Sequence, residues 1–189
     1  MSFLSLMKQR AGSYYGKKAY RYVEKLLMSE RNLLIVSPYI DDYYAEYLAR
    51  NSRGKKIYII SSSISGSAAK KLRRSSAFGN SLVAAFLALA VNWLLFTLNA
   101  FNPLFAMVTV AAGIALVIGS LAHRNRIYLK VPKEFVHVKM YVGERSAVEG
   151  SANLTYAGMH KNIESVKLIT DQKEVERLKR QFWTLWNSL

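Results

Sequence analysis

A histidine and a lysine stand two residues apart in the apolar segment FVHVKMYV, residues 135–142. In a β-strand, residues i and i+2 project from the same face. The segment therefore predicts a strand whose valines face a core, with His137 and Lys139 side by side on a free face. An imidazole can act as a nucleophile, and an ammonium supplies a fixed positive charge. The pair is suited to chemistry on an anionic group.

Further polar side chains follow this pair closely, all before residue 165. They provide carboxylates, a hydroxyl and amides, which are the groups needed to orient an imidazole and to bind the oxygens of a phosphodiester. A glycine among them stands directly before the serine. The candidate residues that follow the pair are Glu144, Gly150, Ser151, Asn153, Asn162 and Glu164.

The stretch HVKMYVGERSAVEGSANLT, with the later NIE, resembles the phospholipase D superfamily. The signature of that family is H-x-K-x4-D followed by G-S-x-N. The upstream segments NLLIVSPYI and RGKKIYIISS look like its first pair of strands. The chain departs from the pattern at Glu144, where the family has Asp, and in a shorter gap before Gly150. The resemblance implies an α/β fold, a phospholipase D-like mixed sheet flanked by helices.

The resemblance also implies a role for each site residue. His137 would attack phosphorus and form a phosphohistidine, with Glu164 holding the second ring nitrogen. Lys139, Ser151 and Asn153 would bind the oxygens of the diester. Such a mechanism needs no metal and no cofactor.

Supporting roles are expected for three further residues. Glu144 would brace its local loop, while Gly150 and Asn162 belong to the motif segments around the site.

The chain carries one copy of the motif, because neither His123 nor His160 is followed by lysine at i+2. A single histidine does not easily serve as nucleophile and leaving-group acid in the same step. The simplest solution is a homodimer that brings two His137 side chains to one shared site.

The overall charge is strongly positive, with 27 Lys and Arg against 12 Asp and Glu, a net charge of +15. This balance favours a polyanionic partner, either nucleic acid or an anionic membrane lipid surface. The absence of cysteine excludes disulfides and thiolate metal sites, and the three histidines lack zinc-site spacing.

Residues 81–122 contain no charged side chain, and Pro103 interrupts them. One membrane crossing takes about 20 residues, so the segment predicts a transmembrane helical hairpin, roughly Leu82–Ala100 and Leu104–Ala122. The basic flanks, residues 70–74 and 123–126, predict that both ends face the cytoplasm. The alternative is a helical hairpin buried within a soluble protein.

Outside this hairpin, the apolar patterns alternate between helix and strand, which is typical of an α/β layer. Asp41 is the expected N-cap of a helix over residues 41–52, and the helix predicted at 172–187 carries an apolar stripe of Val175, Leu178, Phe182 and Leu185. The polar segment SSSISGS, residues 61–67, is expected to form a loop. We expect a basic N-terminal arm at residues 1–15 and one catalytic domain formed by residues 16–80 and 123–189. The expected localisation is an integral membrane protein with a cytoplasmic catalytic domain.

Three functions are compatible with these patterns. The first is a membrane-anchored nuclease, and the second is a phospholipid hydrolase or transphosphatidylase of the phospholipase D or cardiolipin-synthase type. The third is a non-catalytic membrane scaffold with a degenerate site, which only Glu144 favours.

Overall fold

The computed structural model describes residues 11–74, 79–97, 103–122 and 126–189. The described residues divide into two compact units, one from within 1–75 and 125–189 and the other from within 76–124. The strands, in chain order, are β1 (Gly12–Gly16), β2 (Asn32–Val36), β3 (Tyr39–Ile40), β4 (Lys56–Ile60), β5 (Ser63–Ile64), β6 (Arg126–Lys130), β7 (Met140–Val142), β8 (Ala147–Gly150) and β9 (Glu164–Ile169). The α-helices are α1 (Tyr20–Ser29), α2 (Asp42–Arg50), α3 (Gly66–Arg74), α4 (Gly79–Thr97), α5 (Pro103–Ala122) and α6 (Gln172–Ser188).

The first unit is built on a seven-stranded mixed sheet with the order β1-β9-β8-β7-β2-β4-β6. Strands β2, β4 and β6 run parallel, whereas β7, β8, β9 and β1 pair antiparallel in succession. β3 and β5 form a separate parallel pair. The predicted α/β class, with a mixed sheet flanked by helices, is confirmed.

Both faces of the large sheet are covered. Leu33 and Ile35 of β2 join a core cluster with α1, α2 and α3, while Leu34 and Val36 join a second cluster with α6. The expectation of a free face on the strand at 135–142 is therefore wrong at Tyr141, which is fully buried in the first cluster. The strand itself is also shorter, since residues 135–139 precede β7 without regular structure.

Two helices begin where the sequence predicts. Asp41 caps α2, because its carboxylate accepts a hydrogen bond from the backbone N–H of Tyr44 at 3.0 Å. Asp171 caps α6 in the same way through the N–H of Glu174. The predicted apolar stripe of α6 is confirmed for Val175, Leu178 and Phe182, all of which are buried. Trp183, Leu185 and Trp186 are partly buried and pack against that core cluster.

Two other segments differ from their sequence patterns. Gly12–Gly16, which overlaps the end of the arm predicted at residues 1–15, forms β1 and pairs with β9. The polar SSSISGS segment, predicted as a loop, forms β5 and the start of α3 instead. Two contacts order this segment although its composition is that of a loop. β5 pairs with β3, and the N–H of Ala68 donates a hydrogen bond to Ser65 Oγ at 3.1 Å.

The second unit is a helical hairpin of α4 and α5. The Asn92 amide donates a hydrogen bond across it to Thr109 Oγ1 at 2.7 Å. Pro103 occupies the first position of α5, where its missing N–H costs nothing. The predicted end of the first helix at Ala100 lies outside the described residues.

The prediction of a transmembrane hairpin is not supported by these helices. In the four described ranges, no helix is both long enough and apolar enough to cross a membrane. The predicted integral membrane localisation, with a cytoplasmic catalytic domain, is therefore wrong.

The packing of α6 generates a stability prediction. Replacing the fully buried Phe182 by alanine should lower the free energy of unfolding by about 3–5 kcal/mol, because it leaves a cavity beneath the sheet. Urea unfolding followed by tryptophan fluorescence measures this change, since the ring of Trp183 lies 5.4 Å from that of Phe182. The neighbouring, exposed Gln181→Ala should change stability by less than about 0.5 kcal/mol. Equal losses in both variants would contradict the assigned packing.

Candidate functional site

His137 and Lys139 lie in the extended segment that leads into β7. The segment is anchored at Val136, whose N–H and carbonyl both bind the hydroxyl of Ser62, at 2.8 and 3.2 Å. His137 is exposed and Lys139 is half-buried. The Lys139 ammonium lies 2.9 Å from Nε2 of His137. The side chains of His137 and Lys139 are therefore adjacent, although the segment that carries them has no regular secondary structure.

The G-S-x-N segment begins at the end of β8, beside this pair. The N–H of Gly150 donates to the carbonyl of Lys139 at 3.3 Å. Ser151 is then held against β9, because its N–H donates to the carbonyl of Ser165 at 2.9 Å and its Oγ accepts from the N–H of Ser165 at 2.9 Å. Two motif segments that are separate in sequence therefore adjoin at one end of the sheet.

Glu164 receives two hydrogen bonds from other candidate residues. Its Oε2 accepts a short hydrogen bond from the Ser151 hydroxyl, and its Oε1 accepts from the Asn162 amide at 3.2 Å. The carboxylate belongs to a residue that is only 8% exposed, so these donors replace the water it loses. Among the described residues, the ring of His137 hydrogen-bonds only to Lys139. The predicted pairing of His137 with Glu164 is not made in this structure.

Asn153 lies in the loop that follows Ser151, with its side-chain carbonyl oxygen buried. Within the described part of the chain that oxygen accepts no hydrogen bond. The backbone on each side is fixed: the Tyr141 hydroxyl donates to the carbonyl of Ala152 at 2.8 Å, and the N–H of Leu154 donates to Ser37 Oγ at 2.9 Å. Burial raises the pKa of Tyr141 well above its ordinary value, so its hydroxyl stays a donor.

Glu144 lies away from the other candidates, in the turn between β7 and β8. Its carboxylate accepts from the Asn32 amide, and its carbonyl accepts from the Lys179 ammonium at 2.9 Å. Because Met140 pairs with Glu149 in this hairpin, the turn is at the end opposite to Gly150. These contacts hold the turn against β2 and α6.

A cluster behind the loop escaped the sequence analysis. The Tyr44 hydroxyl donates to Glu24 at 2.6 Å and lies 3.1 Å from Nε2 of His160. The His160 ring stacks on Tyr20 and Tyr156, with centroids 4.5 and 4.8 Å apart. Burial, and then the hydrogen bond to Glu24, raise the pKa of Tyr44. These contacts hold the π-helical turn Ala157–Lys161, which connects the Asn153 loop to Asn162. The contacting residues are far apart in the sequence, so no local sequence pattern predicts the cluster.

The chemistry available here is that of an anion site. An exposed imidazole lies beside an ammonium, and the segment that carries them is hydrogen-bonded to the one that carries a hydroxyl fixed by a carboxylate. No group of three or more His, Cys, Asp or Glu side chains that could hold a metal ion occurs among residues 11–74, 79–97, 103–122 and 126–189. His123 lies outside these ranges.

The comparisons agree with this architecture. The family model described as "Cardiolipin synthase, PLD-like domain" matches residues 22–186. A search of curated proteins finds no match.

Two solved structures are similar in fold. The first is the phospholipase D family member Nuc from Salmonella typhimurium, at 16% identity and a TM-score of 0.52, covering 94% of this chain and 95% of that one. The second is NucT from Helicobacter pylori, at 14% identity and a TM-score of 0.51, covering 90% of this chain and 88% of that one. At these identities the likeness shows the shared fold.

The junction of β8 with β9 generates a second prediction. A Cβ at Gly150 would lie 2.0 Å from the carbonyl oxygen of Ser165, so Gly150→Ala should lower the free energy of unfolding by about 1–3 kcal/mol. A Cβ at Gly66 meets nothing within 4 Å, so Gly66→Ala should leave stability unchanged or raise it by about 0.4–1 kcal/mol. Denaturant midpoints of the two variants compare the sites directly. A stable Gly150→Ala protein would refute the close approach.

Proposed function

Because this chain belongs to the phospholipase D superfamily, we propose that it is a metal-independent phosphodiesterase that cleaves nucleic acid. The observation that carries the proposal is the hydrogen bond from the Gly150 N–H to the Lys139 carbonyl. It joins the segment that bears His137 and Lys139 to the segment that bears Ser151, beside Glu164. We propose that the nucleophile, the cation and the hydroxyl donor act together on one phosphate.

In the first step, a ring nitrogen of His137 forms a bond to phosphorus while the bond from phosphorus to the leaving oxygen breaks. Lys139, Ser151 and the Asn153 amide bind the non-bridging oxygens, which neutralises the charge that resists attack. The phosphate draws the Lys139 ammonium from the His137 ring, and the ring turns to donate to Glu164. Catalytic hydrogen bonds of this kind often form only in the substrate complex.

The leaving oxygen takes a proton from His137 of a second copy of this chain. That same histidine then accepts a proton from water, whose oxygen attacks phosphorus while the bond from phosphorus to the first His137 breaks. The product is a phosphate monoester, and both imidazoles return to their starting states. A homodimer is required because each chain carries one copy of the motif.

Nucleic acid is the preferred substrate class because the chain carries a net charge of +15. Neutralising a run of phosphates by lysine and arginine releases counterions and gives strong, salt-dependent binding. A substrate with a single phosphate group gains less from the same surface.

The description of the matching family favours a second candidate, a hydrolase or transphosphatidylase acting on phospholipid. The chemistry is shared up to the phosphohistidine. In a transphosphatidylase the acceptor in the second step is an alcohol rather than water.

The third prediction tests the nucleophile and the substrate together. Purified protein should cleave a labelled single-stranded oligonucleotide and form a covalent phosphoprotein on rapid quenching, and His137→Ala should reduce both by at least about 10³-fold. Gln181→Ala, on the exposed side of α6, should match the unsubstituted protein. Cleavage of phospholipid vesicles alone would favour the second candidate. Failure to form a covalent adduct with any diester would favour a non-catalytic scaffold.

The fourth prediction concerns the shared site. Intact and His137→Ala subunits are mixed in equal amounts under conditions that allow exchange. The specific activity per total protein should fall to roughly a quarter of that of the intact protein, because only dimers with two histidines complete the reaction. Dilution without sharing would leave roughly half. Mixing with Gln181→Ala subunits should cause no loss. Retention of half the activity, or a monomer by mass measurement under assay conditions, would contradict the dimeric mechanism.

A further inference from the structure

Two exposed aromatic side chains lie directly beside His137. Phe135 is 56% exposed and Tyr39 is 43% exposed. Their ring centroids are 5.8 Å apart. The Phe135 ring in turn lies 6.0 Å from the imidazole of His137, and the two planes differ by 27°. Three neighbouring rings thus extend from the proposed nucleophile to the edge of β3.

The backbone that carries these rings is fixed. The carbonyl of Tyr39 accepts from Ser37 Oγ at 2.8 Å, and β3 pairs with β5. Phe135 and His137 flank Val136, which Ser62 binds through both its backbone N–H and its carbonyl. The exposure of the rings therefore follows from ordered local structure.

Neither ring belongs to a core cluster. Other tyrosines of the same unit are used differently: Tyr44 and Tyr141 are fully buried and each donates a hydrogen bond. An isolated exposed aromatic residue requires no explanation. Two that adjoin each other and an exposed imidazole are different: their planes are inclined by 54°, so a flat ring can stack on the face of Phe135 with Tyr39 against its edge.

We infer that Tyr39 and Phe135 form an aromatic platform that stacks a nucleobase flanking the scissile phosphate, so that single-stranded nucleic acid is the preferred substrate. The inference rests on the proposed nuclease function and adds its substrate form.

The geometry explains why a base would reach the platform. A phosphate bound between His137 and Lys139 carries its nearest base one sugar away, beside the Phe135 ring. In a duplex, the bases are already stacked and paired, so only a single strand offers a free base face. Stacking reads no base identity, which predicts broad tolerance of sequence.

Binding, rather than cleavage, gives the sharpest test. The probe is a short single-stranded phosphorothioate oligodeoxynucleotide containing 2-aminopurine, with a second oligonucleotide of equal length that is abasic at the probe position. The unsubstituted protein should quench the 2-aminopurine fluorescence. Phe135→Leu should weaken binding of the base-containing strand by roughly 5- to 100-fold, with binding of the abasic strand unchanged. Phe135→Trp should restore the affinity.

Tyr128→Leu is the matched control, because Tyr128 is also an exposed aromatic residue but lies on β6, at the far edge of the sheet. It should leave both affinities unchanged. Equal binding of the two strands by the unsubstituted protein, or an equal loss on both with Phe135→Leu, would overturn the platform. If the protein still cleaves the labelled oligonucleotide of the nuclease assay in that case, the nuclease proposal stands. If binding depends on the base but no strand is cleaved, the proposed function fails while the platform holds.

Discussion

The close approach of Gly150 to the backbone of Ser165 is the constraint on which the candidate site depends. With any side chain larger than hydrogen at this position, β8 and β9 would have to separate. Their proximity sets the two hydrogen bonds between Ser151 and Ser165 and brings the Ser151 hydroxyl to Glu164. The same glycine N–H binds the carbonyl of Lys139, so one residue positions both motif segments. The glycine before the serine is therefore required by backbone packing as much as by chemistry.

The sequence predicted the elements whose order comes from local pattern. Strands β2 and β4 are continuous apolar runs, α2 begins at an Asp cap, and α6 carries an apolar stripe; all three kinds of signal depend on nearby residues. β1 and β5 were not predicted, because each is ordered by pairing with a strand distant in the sequence, β9 for β1 and β3 for β5. The same reason explains the missed contact of Tyr44 with Glu24, twenty positions earlier in the chain.

The hairpin shows how a composition signal can mislead. The absence of charge over residues 81–122 predicted two helices, and α4 and α5 are present where they are described. Absence of charge does not, however, measure the apolar length of each helix. The Asn92 amide binds Thr109 within the hairpin, which gives polar groups in an uncharged segment partners of their own. The uncharged pattern therefore predicted the two helices correctly, but it did not predict whether they cross a membrane.

The site residues differ in how completely their polar groups are satisfied, and this difference has a chemical consequence. Ser151 and Asn162 both donate to the Glu164 carboxylate, which is nearly excluded from water, so breaking these contacts would leave a buried carboxylate unpaired. His137, by contrast, is exposed, and its ring binds only the Lys139 ammonium, a contact that water can replace at little cost. In the proposed first step, the phosphate displaces the weaker contact, between Lys139 and His137, and the Ser151 hydroxyl turns from Glu164 to a non-bridging oxygen as His137 takes its place on the carboxylate. The Asn162 amide then holds the carboxylate while the imidazole moves to form a bond.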